Sequence, residues 1–118
     1  MSYLDTYLLA LDPLLFDPAT IEIAINADGR IWVERQGAVH MADAELAPLP
    51  LRQVRDLAAQ IANTTANSFT ETAPLVSASV PYREAMLRCQ VVGSPAVPAG
   101  TVIGIRVFRP RAGETRAA

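Results

Sequence analysis

A chain of 118 residues, about half of them apolar, is long enough to bury one core, and its net charge of −2 gives no general basic surface of the kind nucleic acid selects. One cysteine and one histidine exclude an internal disulfide and any metal site built from histidine and cysteine pairs. All ten basic side chains are arginines, which rules out lysine catalysis and leaves guanidinium groups, backbone amides and helix ends as the means of holding phosphate. No apolar run approaches the roughly 20 residues needed to span a bilayer, so the chain reads as soluble and cytoplasmic. The charge is unevenly spread. Residues 1–59 carry −5 and residues 60–118 carry +3.

The first element is a short helix over Tyr3 to Leu15, with Leu4, Leu8, Leu11 and Leu15 on one face and a kink expected at Asp12-Pro13. Ile21, Ile23 and Ile25 then alternate with Glu22, Ala24 and Asn26, and Ile31 and Val33 resume the same period. Strands at about 20–26 and 30–35 follow, joined by a reversal at Asn26-Ala27-Asp28-Gly29, where residues tolerant of positive φ cluster. Ala38 to Met41 could add a third strand after Gln36-Gly37. Leu51, Val54, Leu57, Ala58, Ile61 and Ala62 form the apolar face of a helix that should cover the sheet, with Pro50 suited to its start. The polar run from Asn63 to Ser68 ends it.

The second half is strand-like over Leu75 to Val80, Met86 to Val92 and Thr101 to Phe108, separated by segments 81–84 and 93–100. The expectation is an α+β fold, an antiparallel sheet covered by helices, in a single domain over 1–109. Residues 110–118 read as a linker or disordered tail.

Few constellations suggest an enzyme. His40 has no second ligand beside it. Ser77 and Ser79 lack a nucleophile elbow, and a triad would need His40 alongside them. Glu22 and Glu34 could face each other across the hairpin, an arrangement more often solvated than catalytic. Cys89, within Met86 to Val92, reads as a buried structural thiol. No Gly-x-x-x-x-Gly-Lys-Ser/Thr loop is present, so the chain alone is expected to have no catalytic residue and to transfer no phosphoryl group.

The order of segments resembles the N-terminal domain of the hexameric traffic ATPases of type IV secretion and conjugation. The resemblance begins with Leu11-Asp12-Pro13-Leu14-Leu15 and Asp17-Pro18. It runs through Ile21-Glu22-Ile23-Ala24-Ile25-Asn26 and Gly29-Arg30-Ile31-Trp32-Val33-Glu34-Arg35. It continues with Pro74 to Pro81, Arg88-Cys89-Gln90-Val91-Val92, Pro98-Ala99-Gly100-Thr101 and Ile105-Arg106. The resemblance implies a sensor-like (PAS-like) α+β sheet domain that assembles into a ring. A RecA-like motor domain outside this chain would bind most of the ATP and magnesium, with nucleotide held between the two domains.

Within that resemblance, the family's Arg-x-Gln and Ile-Arg segments fall on Arg88 and Arg106, candidates to reach phosphate charge at a domain or subunit boundary. The other reading is that both line an exposed strand face. Two departures stand out. Where the family has a tight Pro-Asp-Gly turn before Arg-x-Gln, Pro81 to Leu87 is longer and free of glycine. Val107 stands where the family tends to place another basic residue after Ile-Arg.

The implied function is assembly and nucleotide gating in a secretion or conjugation ATPase. The implied partners are the motor domain, other subunits of a hexameric ring and secretion machinery at the inner membrane, to which the protein would be peripheral. The chain itself is expected to hold no cofactor or metal. The alternative is a free-standing adaptor that docks a partner, for example by strand addition at an open edge beside Ala38 to Met41. Direct nucleic-acid binding is not expected, since basic and aromatic residues are not interleaved.

Overall fold

The computed structural model describes residues 3–64, 75–93 and 100–109. The expected N-terminal helix is present in broken form: α1 (Tyr3–Leu8) passes through a 3-10 turn (Leu9–Leu11) into α2 (Asp12–Leu15). Pro13 explains the break, because its ring removes a donor and fits only the first turn of a helix, where it stands in α2. The leucine face is kept through the break. Leu4, Leu8, Leu11, Leu14 and Leu15 are all buried.

Strands β1 (Thr20–Ile25) and β2 (Ile31–Arg35) form the expected hairpin. Its loop closes with the Asn26 N–H on the Arg30 carbonyl at 2.9 Å and the Gly29 N–H on the Asn26 carbonyl at 2.9 Å. Gly29 takes φ +86°, and a Cβ there would collide with the Leu49 carbonyl, so two requirements exclude other residues. The pairing shifts register between Thr20 and Glu22, which takes Ile21 off the alternation and leaves it half-buried while Ile23 and Ile25 are fully enclosed.

The third strand lies later than expected. Residues 38–41 form a loop, and β3 is the pair Ala42–Asp43, in register with Val33 and Trp32. The physical reason is that Val39 and His40 find no sheet surface to cover: Val39 is 88% exposed. Asp43 instead accepts a hydrogen bond from the Arg30 guanidinium at 2.9 Å and so fixes where pairing begins. His40 is exposed.

Helix α3 (Leu51–Ala62) starts after Pro50, whose carbonyl receives the Val54 N–H, and the Thr64 hydroxyl donates to the Ile61 carbonyl at its end. Val54, Leu57, Ala58, Ile61 and Ala62 are buried as the spacing predicts, whereas Leu51 stays half exposed. The expected helix-ending segment beyond Thr64 lies outside the described residues, as does the tail 110–118.

Strands β4 (Leu75–Tyr82), β5 (Ala85–Val92) and β6 (Val102–Phe108) complete a six-stranded antiparallel sheet in the order β3-β2-β1-β6-β5-β4. Pro81 and Tyr82, expected in a connecting segment, belong to β4. Only Arg83 and Glu84 turn the chain, so the glycine-free segment before Arg88 makes a tight hairpin after all. Arg83 adopts φ +54°, the left-handed conformation that a glycine would ordinarily supply.

The described helices lie over one face of the sheet. Beneath them Ile23, Ile25, Val33, Leu87, Cys89, Val91, Ile103 and Ile105 are at most 1% exposed. Burial among these aliphatic neighbours pushes the Cys89 thiol up to about 12, so it stays protonated and inert at neutral pH. Val107 is 8% exposed on this same face, which explains why no charged residue stands there. Among the described residues no helix is long and apolar enough to cross a membrane.

Candidate functional site

The opposite face of the sheet carries no helix among the described residues, and the register of its strands lays its side chains out in rows. Glu34 pairs with Glu22, Glu22 with Arg106, Arg106 with Arg88 and Arg88 with Ser79, so one row runs across β2, β1, β6, β5 and β4. The next row reads Trp32, Ala24, Gly104, Gln90 and Ser77. Gly104 has open space where a side chain would stand, and a shallow depression of about 420 Å³ forms between Glu22, Arg88, Gln90, Arg106 and Phe108.

Both arginines marked in the sequence therefore come together on the open face, directly opposite each other on neighbouring strands. Their states differ. Arg106 donates from Nε at 3.2 Å and from Nη2 at 2.8 Å to the same Glu22 oxygen. Arg88 is exposed and has no hydrogen-bond or ion-pair partner among the described residues. Like charges across a strand pair repel. The Glu22 carboxylate offsets one of the two and leaves Arg88 as the open cation. Glu22 and Glu34 do face each other, as expected, but Glu22 is engaged by Arg106.

Trp32 borders this surface, with the Arg30 guanidinium 5.4 Å from its ring centre. Ser77 and Ser79 point to the same exposed side, far in character from a nucleophile site: His40 sits in the loop before β3, beyond the opposite edge of the sheet. Among the described residues no cluster of histidine, cysteine or carboxylate groups could hold a metal ion.

A larger open cavity of about 580 Å³ lies at one end of the fold, lined by Leu15, Phe16, Pro18, Tyr82, Arg83 and Arg109 among others. The Tyr82 hydroxyl donates to Asp12 at 2.7 Å, and the Arg83 guanidinium lies 4.9 Å from the Phe16 ring centre and 5.1 Å from that of Tyr82. Burial and the acceptor carboxylate of Asp12 push the Tyr82 phenol above its usual range. Arg109 donates to the Leu15 carbonyl at 2.6 Å and the Thr20 carbonyl at 2.9 Å, tying β6 to the end of α2. None of Asp12, Phe16, Tyr82, Arg83 and Arg109 was marked in the sequence as a site residue. The available signal was an exposed-type aromatic before Asp17-Pro18 and an arginine in a turn that calls for glycine.

Among solved structures, the VirB11 ATPase from the Brucella suis type IV secretion system, in complex with sulphate, is similar to this chain with a TM-score of 0.73 and 23% identity. The likeness covers 99% of this chain and 34% of that one. The chain has the fold of part of a VirB11 ATPase. It spans about a third of the length of that protein, and the α+β architecture expected from the sequence is the one observed. No protein-family model and no curated protein sequence matches the chain.

Proposed function

We propose that the chain acts as the N-terminal assembly and nucleotide-gating domain of a type IV secretion or conjugation ATPase. The observation that carries this reading is the extent of the VirB11 likeness, which takes in nearly the whole of this chain and only a third of the ATPase. A chain with no lysine and no nucleotide loop cannot hydrolyse ATP in the manner of such motors, so hydrolysis would reside in a motor domain that carries the lysine, the magnesium ligands and the water-orienting acid.

In this reading the open sheet face meets nucleotide held by the motor domain. Arg88 supplies uncompensated positive charge to the phosphates, worth most once the closing domains exclude water. Phosphate oxygens compete with the Glu22 carboxylate for Arg106, so closure exchanges an intradomain ion pair for one to nucleotide. Ring neighbours and inner-membrane secretion proteins are the partners, ATP and magnesium belong mainly to the motor domain, and the chain contacts no nucleic acid directly.

The experiment follows Trp32 fluorescence during ATP titration of the 118-residue chain, alone and after fusion to a RecA-like motor domain of the same secretion class. Weak or absent binding alone, saturable binding in the fusion, and loss of the fluorescence change in Arg88→Glu support the reading. Tight ATP binding or turnover by the isolated chain overturns it.

A further inference from the structure

The two edges of the sheet are built differently. β3 is two residues long and carries Asp43, engaged with Arg30, which is how natural sheets blunt an edge. β4 is an eight-residue edge strand, Leu-Val-Ser-Ala-Ser-Val-Pro-Tyr, with no charged side chain, and among the described residues its only strand neighbour is β5. An edge of that length without charge is a template for another strand.

The hydrogen-bonding phase of β4 follows from its turn. A two-residue turn at Arg83-Glu84 closes on a hydrogen-bonded Tyr82–Ala85 pair. Because main-chain groups of successive residues point to alternate sides of an antiparallel strand, Val76, Ala78, Val80 and Tyr82 bond to β5. Leu75, Ser77, Ser79 and Pro81 then aim their main-chain groups at the open edge. Pro81 fits this assignment, since the N–H it lacks belongs on the side where β5 asks for none.

Val76-Ser77-Ala78-Ser79-Val80 reads identically in both directions. Two antiparallel copies centred on Ala78 place Ser77 opposite the partner's Ser79 and Val76 opposite the partner's Val80. Both serines have their main-chain groups directed outward, so sequence symmetry and hydrogen-bonding phase agree on a single register. Shifting the pairing by one residue would set inward-bonded residues against outward-bonded ones and lose the ladder. Valines then meet on the helix-covered side and serine hydroxyls on the open side, the self-complementary pattern that a two-fold contact requires.

We propose that β4 pairs antiparallel with β4 of a second copy of this chain, centred on Ala78, to make a continuous sheet across a two-fold axis. The contact is independent of nucleotide and of the reading of Arg88 and Arg106.

Sedimentation equilibrium of the 118-residue chain, from micromolar to near-millimolar concentration, tests it. The mass rises from 12.7 kDa to twice that value. The S77K/S79K variant sets lysines against lysines on the exposed side and sediments as a monomer, with circular dichroism confirming that it stays folded. S77P, which removes an outward donor and no bond to β5, gives the same monomer. In S77K/S79D each introduced lysine faces an introduced aspartate of the other copy, and the dimer returns. A wild-type chain that stays monomeric throughout, or association unchanged in S77K/S79K and S77P, overturns the proposal.

Discussion

The two faces of one sheet obey different rules. On the helix-covered face, Ile103, Ile105, Leu87 and Val91 are wholly enclosed, so their chemistry is interchangeable aliphatic bulk and their positions are fixed by fit. On the open face the same strands alternate to Arg106, Arg88, Gln90 and Gly104, where charge and empty space are arranged and bulk is not. Stability therefore resides on one face. The other is free to vary, because a residue there can change without disturbing the core.

The largest expected effect tests that division. Ile105→Ala removes an enclosed side chain and should destabilise the fold by about 2–4 kcal/mol, whereas Gln90→Ala, on a neighbouring strand but facing out, should stay within about 0.5 kcal/mol. Urea unfolding followed by circular dichroism measures both. Comparable losses at the two positions would mean that the open face is covered in solution.

A smaller effect is expected where the two rules meet. Tyr82 is 5% exposed, yet its hydroxyl reaches Asp12, joining the end of the β4–β5 hairpin to α2. Tyr82→Phe keeps the ring and deletes one hydrogen bond to a carboxylate, for an expected loss of about 1.5 kcal/mol. At the size of this chain that lowers the melting temperature by roughly 6 °C. An unchanged melting temperature would show that the hydrogen bond contributes nothing net.

Smaller again is the ion pair on the open face. Arg106 is half exposed and Glu22 about a third exposed, so Glu22→Gln should shift stability by no more than about 0.5 kcal/mol. Its effect on recognition runs the other way. Releasing Arg106 leaves two unneutralised guanidiniums side by side, and a polyphosphate titrated against Trp32 fluorescence should bind more tightly to the variant than to the parent at low salt, the gain fading as salt is added. If Glu22→Gln weakens binding, Glu22 holds Arg106 in its binding position and does not compete with phosphate.

How far the sequence could be read follows the same division. Period-two alternation located β1, β2, β5 and β6 closely, because burial on one face dictates it, and the leucine spacing survived even the break at Pro13. β3 was misplaced because a two-residue edge strand has no period of its own; its position depends on Arg30 reaching Asp43, a contact between residues far apart in sequence. Pro81 belongs to β4 and not to the expected connecting segment, because on an edge strand its missing N–H costs nothing. Arg88 and Arg106 were marked only through the family resemblance, and that they stand opposite each other came from the strand register. Which of them is neutralised depended on the register with Glu22, and the Asp12, Tyr82 and Arg83 cluster on a fold-level meeting of α2 with a distant hairpin.

The smallest effect concerns two carboxylates that anchor turns. The Ala19 N–H and then the Arg35 guanidinium hold Asp17 below its ordinary value of 3.8, and the Glu45 N–H and then Arg30 do the same for Asp43. Ionisation is thus easier in the folded chain than in the unfolded one, so both groups contribute stability above the unfolded value and lose it as pH falls through the depressed one. Melting temperature should decline below about pH 4, and part of that decline should vanish in D17N/D43N, which has no charge to lose at either position. Each aspartate anchors a local turn, the Asp17 side chain accepting the Ala19 N–H and that of Asp43 the Glu45 N–H at 2.9 and 2.7 Å, and asparagine keeps an acceptor oxygen for it. The variant therefore removes the charge with the turns retained, and an acid limb as steep as the parent's would assign the decline to carboxylates elsewhere in the chain.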